Sequence, residues 1–210
     1  MPPIARAFVV ICLGLLALAK PAIAQIEFSV KVSIHRELQR DSRTRLEEAD
    51  VKGILDRASG VLATCNVKFK LDALDTFDFD SAPSIINDVY HLEAVHSVGT
   101  PPERTIKVVQ EINFCIERGS FFGCAWRPSG RRPKTVIVTR NGGASLDATL
   151  WAHEFAHTTG LNHRNDPRAL MNCRPFPGNV LINPDECGCI FKGTGGCAAL
   201  EPPPATCPAQ

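Results

Sequence analysis

The sequence predicts an α+β domain that follows a cleavable N-terminal segment. Three observations support this prediction: a short apolar run at the start, an alternation of strand and helix patterns in the first half, and a helix near residue 150 that is apolar nearly all round but carries histidines. The length of 210 residues suits one core. A formal net charge of +1 gives no reason to expect binding to nucleic acid or to an acidic membrane surface.

Residues 1–24 are typical of a secretory signal peptide. Arg6 precedes the apolar run AFVVICLGLLALA, and Ala22 and Ala24 occupy the small-residue positions of a cleavage site. Because the run is short for a bilayer span, we favour cleavage after Ala24 over the alternative, a retained membrane anchor. We therefore expect a secreted or periplasmic monomer, residues 25–210, without stable membrane association.

The cysteines agree with export. Apart from Cys12 inside the apolar run, the chain has an even number of them: Cys65, Cys115, Cys124, Cys173, Cys187, Cys189, Cys197 and Cys207. In an oxidising compartment such a set predicts up to four disulfides, whose pairing the sequence leaves open.

The apolar pattern assigns the remaining elements. Period-two alternation predicts strands at 26–34, 67–74, 105–114 and 134–140, with a possible edge strand in 121–128 that could also be an ordinary loop. Helices are expected after Asp41-Ser42, from Ser145 to Gly160, and from the Asn183-Pro184 start signal, in a loop-rich C-terminal part that ends in a Pro-rich tail, 201–210.

Two weaker features accompany these elements. The acidic stretch 75–83 is an ordinary polar loop or, through Asp75, Asp78 and Asp80, a calcium site. His91 and His96 are five residues apart, which does not stack them on one helical face, so we expect both at the surface.

The helix predicted at 145–160 carries most of the candidate metal-binding and catalytic residues. His153 and His157 are four residues apart, which places both rings on one side of a helix, and Glu154 borders them at about 100°. Gly160 permits a reversal that can bring back His163 as a third nitrogen ligand. Three histidines leave one zinc position open for water, and Glu154 can act as the general base. An isolated HExxH would also fit buried or capping histidines, but the long form HExxHxxGxxH is complete here.

HEFAHTTGLNH followed by RALMN resembles the metzincin zinc metallopeptidases, most of all the matrixins. The resemblance implies a twisted, mostly parallel five-stranded sheet with an antiparallel edge strand, and an active-site helix. It implies that Met171 lies beneath the three imidazoles, that 173–179 wall a side-chain pocket, and that Gly123, Cys124, Ala125 and Trp126 pair with an extended substrate.

The chain departs from the family pattern at two positions. Arg164 stands where matrixins have Ser or Thr, and Cys173 stands where astacins and serralysins have Tyr. The leading hypothesis is an exported zinc endopeptidase acting on proteins or peptides. The alternatives are a non-catalytic zinc-binding protein on the same frame, which has no use for Glu154, and a zinc hydrolase of non-protein amides.

Overall fold

A computed structural model describes residues 25–99, 104–125, 135–140, 143–192 and 207. The predicted signal peptide, Trp126 and all of the predicted tail except Cys207 lie outside the described residues.

The described residues form an α+β domain. Its strands are β1 (Ile26–His35), β2 (Val67–Phe77), β3 (Ile85–Ile86), β4 (Thr105–Val109), β5 (Glu111–Cys115), β6 (Glu117–Phe121), β7 (Gly123–Ala125) and β8 (Thr135–Thr139). Its helices are α1 (Arg36–Arg40), α2 (Glu48–Val61), α3 (Val89–Ser97), α4 (Ala144–Thr158) and α5 (Pro184–Lys192), with a 3₁₀ turn at Ala63–Cys65.

The main sheet has five strands in the order β2-β1-β4-β8-β7. All neighbours are parallel except β7, which runs antiparallel to β8 at the edge. The predicted mixed five-stranded sheet is thereby confirmed. The smaller sheet, in the order β3-β5-β6, lies beside it.

Both faces of the main sheet are covered, which is why its central strands are apolar at nearly every position. Val108 and Val138 pack with α2 and α4 in the larger core cluster. Ile137 and Val109 point the other way, into a second cluster that contains residues of α3. The helix α4 therefore lies within the larger core and holds its functional side chains away from bulk solvent.

Three sequence predictions need correction. The helix after Asp41-Ser42 begins only at Glu48, because 41–44 form a turn in which the Asp41 carbonyl accepts from the Thr44 and Arg45 amides. The true start is a capping box between Glu47 and Asp50.

The strand expected at 105–114 is two strands that belong to different sheets. The break falls at Gln110, whose amide donates to the carbonyl of Ser84 and so directs the chain into the smaller sheet. His96, expected at the surface, is 6% exposed. It lies on the inner face of α3 next to the buried Val95, whereas His91 is partly buried.

The proposed calcium ligands do not converge. Asp75 lies within β2, and Asp78 forms an ion pair with Arg36 at 2.9 Å. Among the described residues, Asp75, Asp78 and Asp80 do not form a close group of possible metal ligands.

Disulfides join β5 to β7 and fasten the loop-rich C-terminal part. The bonds are Cys65–Cys187, Cys115–Cys124 and Cys173–Cys207, and Cys189 is also disulfide-bonded. Such bonds indicate an extracellular or periplasmic protein. Within the described ranges, no helix has the length and apolar character needed to cross a membrane.

Candidate metal centre

The helix α4 is buried along almost its whole length, and its residues from Asp147 to Thr158 are all buried. Near its start, Asp147 is paired with Arg140, which satisfies a carboxylate that is fully buried. Trp151, 1% exposed, fixes the helix in the core. The same helix then presents His153, Glu154 and His157.

The chain reverses immediately after this helix. Gly160 has φ +99°, the left-handed conformation that a side chain disfavours, and its amide donates to the carbonyl of His157. The reversal brings His163 back towards the helix, as the sequence predicted.

The three imidazoles meet at one point. His163 Nε2 lies 3.0 Å from His157 Nε2 and 3.3 Å from His153 Nε2. Zinc–nitrogen bonds of ~2.0–2.1 Å at a tetrahedral angle would separate two ligand nitrogens by ~3.3–3.4 Å. The spacing of the donor atoms therefore fits a small tetrahedral cation.

The contacts of the outer ring nitrogens show which nitrogens of His153 and His157 face the common centre. His153 Nδ1 is 2.7 Å from the carbonyl oxygen of Leu170, and His157 Nδ1 is 2.7 Å from that of Leu161. A carbonyl only accepts, so each Nδ1 carries the proton and each Nε2 turns a lone pair to the common centre. Lone pairs aimed at one another repel, and a cation between them removes that repulsion.

The surroundings of His153 favour its neutral form. Burial, and secondarily the neighbouring His163, lower the pKa of His153 to about 3. A metal ligand must be unprotonated, so a ring that stays neutral is ready to bind without losing a proton. The arrangement fits zinc, whose usual nitrogen ligand is neutral imidazole.

Glu154 directly follows His153 on α4 and is 5% exposed. Burial raises the pKa of its carboxyl group to about 8. Gly123 of the edge strand β7 packs directly on it: a Cβ at that glycine would lie 2.5 Å from Glu154 Cδ and Cγ, and closer still to Oε1. The two predicted site residues Gly123 and Glu154 are thus in contact.

Met171 is fully buried in the larger core, as are α4 residues Ala152 and Ala156. The turn that carries it also supports His153, because the preceding carbonyl, that of Leu170, accepts from the ring. The amide of Arg164 donates to the carbonyl of Met171 at 2.7 Å, which joins this turn to the segment after His163.

The predicted substrate strand is present in part. Gly123, Cys124 and Ala125 form β7, the last strand of the main sheet in the described chain, whereas Trp126 lies outside it. Cys124 is 3% exposed and is bonded to Cys115, so its side chain serves to fix the strand.

Sequence reasoning missed two contacts of the site. His163 Nδ1 lies 3.0 Å from Sγ of Cys207, which is bonded to Cys173, so a disulfide backs the third imidazole. The Sγ atoms of Cys173 and Cys207 lie near His163, but they are bonded to each other and are therefore not free thiolate ligands. The guanidinium of Arg164 pairs with Glu186 of α5 at 3.0 Å. No sequence signal identified either partner, because both depend on folding across the C-terminal part.

Comparison by sequence gives no relative: no family model matches the chain, and no curated protein matches it. Comparison of folds finds similar solved structures. Metalloproteinase-II from Bacteroides fragilis aligns with a TM-score of 0.54 at 16% identity, over 83% of this chain and 55% of that one. An archaemetzincin from Methanopyrus kandleri aligns with a TM-score of 0.56 at 12% identity, over 80% of this chain and 95% of that one.

A third similar chain comes from a structure of a chaperone–substrate complex, with a TM-score of 0.52 at 10% identity, over 83% of this chain and 35% of that one. This chain thus spans about half the length of the Bacteroides protein and a third of the chaperone-complex chain. At such low identities the comparisons show a shared fold, and a fold does not by itself determine the chemistry of a site.

Proposed function

We propose that the protein is an exported zinc-dependent endopeptidase that hydrolyses peptide bonds. His153, His157 and His163 would hold one zinc ion, and Glu154 would act as general base. The observation that carries the proposal is the convergence of three Nε2 atoms, two of them from the helix that also carries the buried Glu154. The fold shared with two metalloproteinases supports it.

When bound, zinc supplies Lewis acidity, which makes water more acidic and a carbonyl more electrophilic. Glu154 is the group of this chain that can move the proton. Its carboxylate would accept a proton from the attacking water and then donate it to the leaving amine. The Leu170 and Leu161 carbonyls keep two imidazoles oriented, so the site needs little rearrangement.

The edge strand β7 suits a peptide substrate. It runs antiparallel to β8 and occupies one end of the main sheet, and an extended chain laid along it would add a further strand. Its Gly123 contacts Glu154, so a peptide aligned there would pass close to the general base. This placement favours a peptide over a small non-protein amide.

Export is supported by the disulfides. We also propose that residues 1–24 are a signal peptide, that the protein is a monomer and that it is related to the matrixins.

The decisive variant is Glu154→Gln, which keeps the shape of the side chain and removes its basicity. We expect it to retain stoichiometric zinc and the parent melting temperature while casein cleavage falls by ~10²–10⁴-fold. Zinc is measured by metal analysis of the dialysed protein, and activity by peptide release with and without a chelator.

Glu48→Gln, an exposed carboxylate on α2, is the matched control and should cleave at the parent rate. Parent-level activity in Glu154→Gln would overturn the assigned base. Stoichiometric zinc with no turnover of a broad peptide library by the parent would favour the non-catalytic zinc-binding protein.

A further inference from the structure

Gly123 leaves no room for a side chain on the side that faces Glu154. A Cβ there would approach Cγ and Cδ of Glu154 to 2.5 Å, a separation that real Cβ contacts do not reach. The nearest obstacles are all atoms of this one side chain. Hence the Glu154 carboxylate lies in the space that a Cβ at residue 123 would occupy.

The backbone on each side of this contact is fixed. In β7, Gly123 pairs with Val138, and the next residue, Cys124, is held by the disulfide to Cys115. The preceding carbonyl, that of Phe122, accepts from the amide of Thr139 at 2.8 Å. The strand is thus fastened before and after the glycine and cannot easily move away from the helix.

The helix is equally constrained. Glu154 lies between Trp151 and Phe155 in a segment that is buried all round, and its neighbour His153 is tied to the Leu170 carbonyl. With both backbones fixed, the flexible part is the glutamate side chain itself. Crowding at residue 123 would be relieved by rotating the Glu154 carboxylate out of its position.

We propose that Gly123 is a positioning residue for the general base: the absence of a side chain at this one position leaves the space that the Glu154 carboxylate occupies. This inference rests on the proposed function and deepens it. From the resemblance Gly123 was expected to bind substrate through its backbone, whereas the contact assigns its missing side chain a separate role.

The test is Gly123→Ala, with Gly60→Ala as the matched control, because Gly60 is an exposed residue of α2 with nothing within 4 Å of an added Cβ. We expect Gly123→Ala to bind stoichiometric zinc and to lose ~10²-fold or more in kcat on a casein-derived peptide, with KM little changed. Gly60→Ala should match the parent in both constants. A loss confined to KM, or an unchanged kcat, would overturn the proposal.

Two further measurements do not depend on activity. In crystal structures of the parent and Gly123→Ala, we expect the Glu154 carboxylate to be displaced, and a carboxylate that stays while β7 moves would contradict the proposal. In urea unfolding, any stability lost by Gly123→Ala should be recovered when Glu154→Ala is added, since truncation frees the space. A loss of equal size in both backgrounds would place the clash elsewhere.

These outcomes separate the two proposals. Failure of the parent to bind zinc or cleave peptides would reject the proposed function. The displacement of Glu154 and its coupling to residue 123 would still be measurable, and their absence would reject the positioning role alone.

Discussion

At the scale of single residues, Arg164 shows how a departure from a family pattern can be built into a fold. The residue is 9% exposed, and its guanidinium pairs with Glu186 at 3.0 Å. The same carboxylate accepts from the amide of Asn183, whose side chain accepts from the amide of Glu186. Arg164, which directly follows His163, is thus linked to the capping box that starts α5.

We expect Arg164→Met to destabilise the protein by ~3–5 kcal/mol, because the carboxylate of Glu186 would be left buried without its partner. Adding Glu186→Gln should recover much of that loss, since glutamine removes the charge and can still cap α5. The measurement is the free energy of unfolding in urea. Arg168→Met, which removes an exposed pair with Asp166, should change little and serves as control. No recovery in the double variant would contradict the explanation.

At the scale of elements, the sequence predicted those whose signal is local. The strand at 26–34, the turn at Gly160 and the Asn183 cap of α5 each depend on a few neighbouring residues, and the structure has all three. The break at Gln110 was missed because both halves have the residue pattern of a strand, and the hydrogen bond from the Gln110 amide to the Ser84 carbonyl joins residues far apart in the chain. His96 was misplaced for a similar reason: spacing along a helix does not show which face a second sheet will cover.

At the metal centre, too, the sequence predicted what depends on neighbouring residues and missed a contact between distant ones. The spacing of His153, His157 and His163 is a local signal, and their convergence followed from one helix and one turn. The contact between Gly123 and Glu154 joins residues that are far apart in the chain. Apolar periodicity carries no information about such a contact, because it depends on which strand becomes the neighbour of α4.

Strand β4 supplies a prediction at this scale. Lys107 lies in the centre of a strand covered on both faces, is 2% exposed, and donates from Nζ to the carbonyl of Val98. Burial lowers its pKa from 10.5 to about 8, against a smaller opposing effect of Asp75. Between these two values the unfolded chain binds the proton more strongly than the folded chain. The free energy of unfolding should therefore rise as the pH increases through that interval.

Replacing the ammonium group removes this dependence. We expect Lys107→Met to be more stable than the parent near neutral pH and to lose the rise contributed by Lys107 between about 8 and 10.5. Urea unfolding at a series of pH values measures both effects. Lys70→Met, on the exposed side of β2, should keep the parent slope. An equal slope in parent and Lys107→Met would show that this lysine is not the source.

At the scale of the whole molecule, two disulfides tie the C-terminal part of the described chain to other parts of the domain. Cys65–Cys187 joins residues 122 positions apart and ties α5 to the turn after α2. Cys173–Cys207 joins residues 34 apart and places a sulfur atom on the outer nitrogen of His163. The outer nitrogens of His153 and His157 contact backbone carbonyls, whereas that of His163 contacts a sulfur atom of a disulfide, which forms only in an oxidised chain.

Removing each of these two disulfides should therefore affect a different property of the protein. We expect Cys173→Ala/Cys207→Ala to lower zinc affinity by ~10–100-fold, because His163 loses the group that orients its ring. Cys65→Ala/Cys187→Ala removes the longer loop and should lower the free energy of unfolding more, by ~4–5 kcal/mol, with zinc affinity of the folded protein near that of the parent. Competition with a chelating dye measures affinity, and urea unfolding measures stability. If both double variants bound zinc as the parent does, the ring of His163 would be held by the surrounding backbone, and the sulfur contact would have no part in building the centre.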